Sequence, residues 1–243
     1  MNLILVEPGE LDPSGEVTLE DGRATHLLRV LRVATGSTVR VGLLDGPLGN
    51  AAVTALAASR VVLRCHFEGA APPPPRVDLL LALPRPKVMR RLWAQITALG
   101  VGRIILTNAA RVERNYFDTH VLSPACYRPL LVEGLQQARD TRLPLVSIHR
   151  QFRPLIEDHV AAQYGDAIRL TADPAGRTRI APTVAACGDR RVLLAVGPEG
   201  GWTAFERSLL ERHGFDTIGM GPRTLRVDTA CIALLSLVHD AIG

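Results

Sequence analysis

Four consecutive prolines, in APPPPR at residues 71–76, set how this chain can be divided. Proline has no backbone N–H and holds φ near −65°. A run of four enters neither a helix nor an interior strand and favours a stiff, extended spacer. The patterning changes across it. Before it, GEVTLE, STVRVGLLDG and AAVTALAASRVVLRCHF are rich in Val, Leu and Thr and broken by Gly, Asp and Asn, which is strand-and-turn patterning with one helical interruption, ATHLLRVLRV. After it, short apolar runs alternate with helical periodicity, the mark of an α/β domain on a mainly parallel sheet. The chain of 243 residues accommodates two domains. A small β-barrel is predicted over 1–72 and an α/β domain over 76–243.

In the second part, VDLLLAL, GRIILTNA, LPLVSIH, AIRLTAD, RVLLAVG and DTIGMG predict strands. PKVMRRLWAQITALG predicts a helix: Pro86 suits its first turn, Val88, Leu92, Ile96 and Leu99 share one face, and Gly100 suits the stop. Ser123-Pro124 opens a second helix. Thr203 and Glu206 form a Thr-x-x-Glu capping box that opens a third, ended by Gly214. A last helix over 228–242 is apolar nearly all round and requires cover from the core or from a second subunit.

Composition removes several classes. With 47% apolar and 21% charged residues the chain is not disordered, and 4% aromatics leave little for a base-stacking surface. A net charge of +4 permits an anionic partner without requiring one. MNLILVEPGELDP has no basic lead and is not a signal peptide, and no apolar stretch reaches transmembrane length. Cys65, Cys126, Cys187 and Cys231 form no CxxC pair, and the histidines show no ligand spacing. The expectation is a cytoplasmic protein with reduced thiols, no metal and no membrane partner.

Two glycine-bearing loops follow strands: GPEGGW at 197–202 and GMGPRTLRVDTA at 219–230. In open α/β sheets ligands sit at the carboxyl ends of strands, and glycine lets the backbone approach them closely. Taken alone, the two loops are either tight strand-to-helix turns or a ligand cradle. GxxxxGK[ST] is absent, the third glycine of a GxGxxG is missing after Gly219 and Gly221, and neither Gly-x-Ser-x-Gly nor HExxH occurs.

The stretch VGPEGGWTAFERSLLERHGFDTIGMGPRTLRVDTA, residues 196–230, resembles the signature of the RsmE-type ribosomal RNA uridine-N3 methyltransferases of the SPOUT superfamily. The resemblance rests on Gly197–Gly201, Glu206, Gly214-Phe215, the segment Met220–Arg226 and Thr229-Ala230. Upstream, ATHLLRVLRVATGSTVRV resembles the family's His-x-x-x-Val-Leu-Arg segment. LPRPKVMRRLWAQITALGVGRIIL resembles its strand and first helix, with Lys87 and Leu99–Val101 matching. This resemblance implies a deep trefoil knot in the α/β domain and a PUA-like barrel before it. It implies S-adenosylmethionine held in the knot loops largely by backbone groups, and a homodimer whose active site borders the second subunit. The activity it implies is methylation of N3 of one uridine in small-subunit (16S) ribosomal RNA. The cofactor site it implies comprises Leu170, Thr171, Val196, Gly197, Pro198, Gly200, Gly201, Met220, Gly221, Pro222, Leu225, Arg226 and Thr229. The same class of enzyme acting on another RNA nucleotide, or a non-catalytic RNA-binding protein that kept the fold, are the competing readings.

Methyl transfer to uracil N3 needs an in-line donor, a group to take the N3 proton, and donors near the carbonyl oxygens. Arg226, in the best-matched motif, is the first candidate donor. In EGLQQARDTRLPLV, Gln137 and Pro144 match the family, but Asp140 stands where it shows Arg, flanked by Arg139 and Arg142. Either a neighbouring Arg substitutes, or Asp140 accepts the proton, pins Arg139 or caps a helix end. Glu199 faces the cofactor's charge or the RNA, or caps the helix that Thr203 opens. Arg111, Arg29 and Arg32 are candidate RNA contacts, the last two on phosphates.

Overall fold

The computed structural model describes residues 3–185 and 188–243. Cys187 lies outside them, whereas Cys65, Cys126 and Cys231 are free thiols. The strands are β1 (Ile4–Val6), β2 (Glu16–Leu19), β3 (Thr38–Leu43), β4 (Leu48–Leu56), β5 (Val61–Phe67), β6 (Val77–Ala82), β7 (Val101–Thr107), β8 (Leu145–His149), β9 (Ile168–Ala172), β10 (Val192–Val196) and β11 (Phe215–Ile218). The α-helices are α1 (Gly22–Thr25), α2 (Pro86–Ala98), α3 (Pro124–Ala138), α4 (Phe152–Pro154), α5 (Ala161–Gln163), α6 (Ile180–Val184), α7 (Ala204–Arg212) and α8 (Val227–Ile242). Packing separates two compact units: Met1–Pro74 with Val132–Leu143, and Pro75–Leu131 with Pro144–Gly243.

The first unit holds a five-stranded mixed sheet in the order β1-β3-β4-β5-β2, with β1 parallel to β3 and the remaining pairs antiparallel. Alternate residues of these strands, among them Val17, Leu19, Val39, Val41, Val61 and Leu63, bury one face with Leu27. ATHLLRVLRV forms α1 and a π-helical turn over His26–Val30, opened by the Asp21 side chain, which accepts from Arg23 N–H. The segment Val132–Leu143 joins this unit because Val132, Leu135 and Leu143 pack with Leu3, Leu5 and Leu44. Periodicity did not reveal this, since α3 runs unbroken through the point at which its packing partners change.

The second unit is built on a six-stranded sheet in the order β11-β9-β10-β6-β7-β8, and every pair is parallel. The central strands β6 and β10 are buried along their whole length, as expected where both faces are covered. β8 is an edge strand with Leu145 65% exposed. Because the sheet is parallel, the chain leaves every strand at the same end. The loops after β6, β7, β9, β10 and β11 gather there. The short strand β1, the helical stretch 152–163 and α6 carried no periodic signal long enough to stand out in the sequence.

Candidate active site

The two glycine loops leave neighbouring positions in the sheet, after β10 and β11 on either side of β9. Between them lies a cleft lined by Val196–Glu199 and Gly201 on one side and by Ile218–Gly221, Arg223–Leu225 and the start of α8 on the other. Its lining is mainly apolar and backbone, which suits a small organic ligand.

The glycines have distinct physical duties. Gly201 adopts φ +73° and donates its N–H to Pro198 O at 2.8 Å, closing the turn. Gly221 adopts φ +116°, a conformation L side chains rarely take. At Gly219 a Cβ would lie 2.0 Å from Gly176 O, so this residue lets two loop backbones touch. Gly197 accommodates the Trp202 ring, which a Cβ there would meet at 3.1 Å.

A buried carboxylate braces the first loop from behind. Glu206 is 3% exposed; its Oε2 accepts from Thr203 N–H (2.8 Å) and Thr203 Oγ1 (2.9 Å), and its Oε1 accepts from Ala110 N–H (2.7 Å). The capping box read from the sequence is therefore also a tie to the loop after β7. Arg111, on that loop, donates to Gly200 O. Its guanidinium, read from sequence as an RNA contact, is engaged with the glycine loop itself.

Of the sequence-derived cofactor positions, Val196, Gly197, Pro198, Gly201, Met220, Gly221 and Leu225 line the cleft. Leu170 and Thr171 are buried on β9 just before Ala172, which does line it. The Thr171 hydroxyl is buried without a hydrogen-bond partner. Gly200, Pro222, Arg226 and Thr229 are exposed and lie in the same two loops or at the start of α8 without lining the cleft. Glu199 lines it and is exposed; Thr203 and Glu206 cap α7, so Glu199 does not. Arg226, at the N-cap of α8, is exposed; its carbonyl accepts from Ala230 N–H at 2.8 Å, and its side chain makes no ion pair or hydrogen bond among the described residues. The lining residues missed by sequence reasoning include Asp173, Pro174, Arg223 and Thr224. The Asp-Pro after AIRLTA was the available signal, a polar turn at the carboxyl end of a strand.

Arg139, Asp140 and Arg142 belong to the first unit. Asp140 Oδ1 accepts from Thr141 N–H (2.6 Å) and Arg142 N–H (3.1 Å), and Asp140 N–H donates to Leu135 O at 3.1 Å, a Schellman-type helix end with Arg139 at φ +61°. Arg142 donates to Pro72 O and to Asp45 O (3.2 Å). Asp140 and Arg142 thus hold a turn in place, while Arg139 has no ion pair or hydrogen bond among the described residues. In α1 and its continuation, Arg29 and Arg32 are exposed and also without such partners. No group of three or more His, Cys, Asp or Glu is placed to hold a metal ion, and no helix is long and apolar enough to cross a membrane, among the described residues.

The RNA methyltransferase domain family matches residues 71–239. Over 98% of this chain and 90% of its own length, the ribosomal RNA small subunit methyltransferase E of Treponema pallidum is 30% identical. The chain belongs to the ribosomal RNA small subunit methyltransferase E family. A crystal structure of the family's Neisseria gonorrhoeae member bound to S-adenosyl methionine superposes with TM-score 0.77 at 21% identity, covering 99% of this chain and 97% of that one. A probable rRNA-methyltransferase from Porphyromonas gingivalis superposes with TM-score 0.75 at 21% identity, covering 98% of each chain. These likenesses establish the fold. Family membership directs attention to the cleft between the two glycine loops.

Proposed function

We propose that the protein is an S-adenosylmethionine-dependent methyltransferase that methylates N3 of a uridine in small-subunit (16S) ribosomal RNA. The observation that carries this reading is the cleft formed by 196–201 and 218–225, in a member of this family. The residues present fit the cofactor. The cleft is mainly apolar, its walls offer backbone groups at glycines, and an orphaned Thr171 hydroxyl lies next to a lining residue. When bound, the cofactor supplies an electrophilic methyl group on a positively charged sulfur.

The chain's own residues do the rest. The backbones of the two loops bind and orient, braced by Glu206 and Arg111. Glu199 places a carboxylate at the cofactor-proximal edge, where it complements positive charge. Arg226, free of partners at the rim, donates to a uracil carbonyl oxygen as negative charge develops there. Arg139 is the free arginine in the segment where the family shows one, and it meets RNA, as Arg29 and Arg32 do. Asp140 keeps its turn.

The knot and the PUA-like barrel implied by the resemblance belong to this reading; the position of β10 between β6 and β9, with β11 beyond β9, supports the former. So does a cytoplasmic homodimer, supported by Leu237 standing 44% exposed on the apolar helix α8.

The test is incubation with labelled cofactor and small subunits from a strain lacking the modification, followed by mass-spectrometric mapping of nucleosides. 3-Methyluridine at one position is expected; another methylated nucleoside reassigns the target, and none overturns catalysis. Separately, S-adenosylhomocysteine at about 100 times its Kd should stabilise the wild type by about 2.7 kcal/mol. Gly221→Arg should abolish that gain.

A further inference from the structure

Helix α2 carries charge of one sign only. Its sequence, PKVMRRLWAQITA, contains Lys87, Arg90 and Arg91 and no acid, and Arg85 stands at its N-cap. Among the longer helices elsewhere, α7 carries Glu206, Arg207, Glu211 and Arg212, α3 carries Arg128 and Glu133, and α8 carries Asp228 and Asp240 without Lys or Arg, so α2 is the one with cations alone. Met89, Leu92, Trp93 and Ile96 face the core, while Arg85, Lys87, Arg90 and Arg91 are all exposed on the other side. Cations in a first turn oppose the helix dipole, and no acid at i+4 relieves them. Within the helix itself, folding gains nothing from Lys87 and Arg90.

Its location gives it a use. Leu81 of β6 is in register with Val196 of β10, and Ala82 with Thr107 of β7, so the chain enters α2 beside the GPEGG loop and the Arg111 loop. Arg91 Nη2 bonds Asp228 Oδ2 at 2.8 Å, which ties this face to the first turn of α8, two residues after Arg226. The side chains of Lys87 and Arg90 have no ion pair or hydrogen bond among the described residues. No aromatic side chain is exposed on α2, since Trp93 is buried. Spaced cations without a stacking ring fit phosphates rather than bases.

We infer that the exposed face of α2, centred on Lys87 and Arg90, is a sequence-independent contact surface for the phosphates of the RNA strand that enters the cleft. This rests on the RNA reading above. RNA binding can be measured without catalysis, so the two can fail separately.

The experiment compares wild type with Lys87→Gln/Arg90→Gln, measuring affinity for 16S ribosomal RNA between about 50 and 200 mM salt. Affinity should fall about tenfold, and the slope of log affinity against log salt should become shallower by between about one and two units. KM for RNA should rise, while the stabilisation by S-adenosylhomocysteine persists and the Tm of the free protein does not fall. An unchanged slope with unchanged affinity overturns the surface. So does a changed molecular mass in solution with an unchanged slope, which would assign the face to a second copy of the chain. If the wild type binds this RNA in a salt-sensitive way but methylates nothing, the catalytic reading fails, and the surface stands where the variant's affinity and slope fall as above.

Discussion

The two ends of the six-stranded sheet treat charge in opposite ways. At the amino end, Asp78 on β6 is 0% exposed. Arg191 donates to Asp78 Oδ1 at 2.6 Å and Oδ2 at 3.0 Å, and the Tyr164 hydroxyl donates to Oδ2 at 2.8 Å. Arg191 also reaches Pro75 O at 3.1 Å, and a Cβ at Gly102 would meet the backbone Pro75 O at 2.8 Å, so glycine there makes room for this cluster. A buried carboxylate is tolerated only when its lone pairs are filled, and here they are. At the carboxyl end, Glu199 and Arg226 are exposed and carry no such partners. Charges at the amino end are committed to the fold; at the carboxyl end Glu206 and Arg111 brace the loops from behind, while Glu199 and Arg226 are left available for a ligand. The difference teaches that changes at the first end should move stability and changes at the second should move activity.

The largest effect is expected at the amino end. Asp78→Ala leaves Arg191 without its partner and should cost about 3 kcal/mol, the low end for a broken buried pair, because Arg191 is 37% exposed and can turn to water. Urea denaturation reads it, and activity per folded molecule should survive. Loss of activity without loss of stability would break the comparison. Next, Arg226→Ala should lower kcat/KM about a hundredfold, roughly 2.7 kcal/mol of transition-state stabilisation. Its unfolding midpoint should stay within about 0.5 kcal/mol of wild type, since the side chain touches nothing that folding needs. A cooperative loss of stability would show that the rim is structural after all.

The smallest effect sharpens the contrast through pH. Burial first, and then the Asp78 carboxylate, hold the Tyr164 phenol above its ordinary value of 10.0. A raised folded pKa contributes stability that is fully present below the unfolded value and is lost as pH rises through the folded one. Tyr164→Phe should therefore cost about 1.5 kcal/mol near neutrality, the worth of a hydrogen bond to a charged group. The gap to wild type should narrow above pH 10 in chemical denaturation. A gap that stayed constant would mean that the phenol ionises alike in both states.

Much of this arrangement was legible without coordinates. The second unit's principal strands follow from their apolar runs, and α2, α7 and α8 follow from Pro86, the Thr203–Glu206 box and the apolar run after Arg226. The glycine loops stood out because glycine's freedom is a local property of the backbone. The charge of the Asp78 strand went unremarked, because one acid in VDLLLAL does not disturb an apolar run; only the approach of Arg191 and Tyr164 makes it affordable. Asp140 was equally opaque. It stands where the family shows Arg, and the choice among its candidate roles was decided by its two hydrogen bonds to the following amides, which depend on how α3 ends.

By itself, the sequence determined the alternation of elements, the break at the prolines, the family signature and the two loops that have to bend at glycine. These depend on residues near one another along the chain. Tertiary structure alone decided that Val132–Leu143 packs in the first unit, that Gly219 exists to pass Gly176, that Arg111 is held by Gly200 O, and that Arg91 of α2 pairs with Asp228 of α8. Each of these joins residues far apart in the chain, and their meeting is set by the order in which parallel strands are laid side by side, which no local pattern encodes.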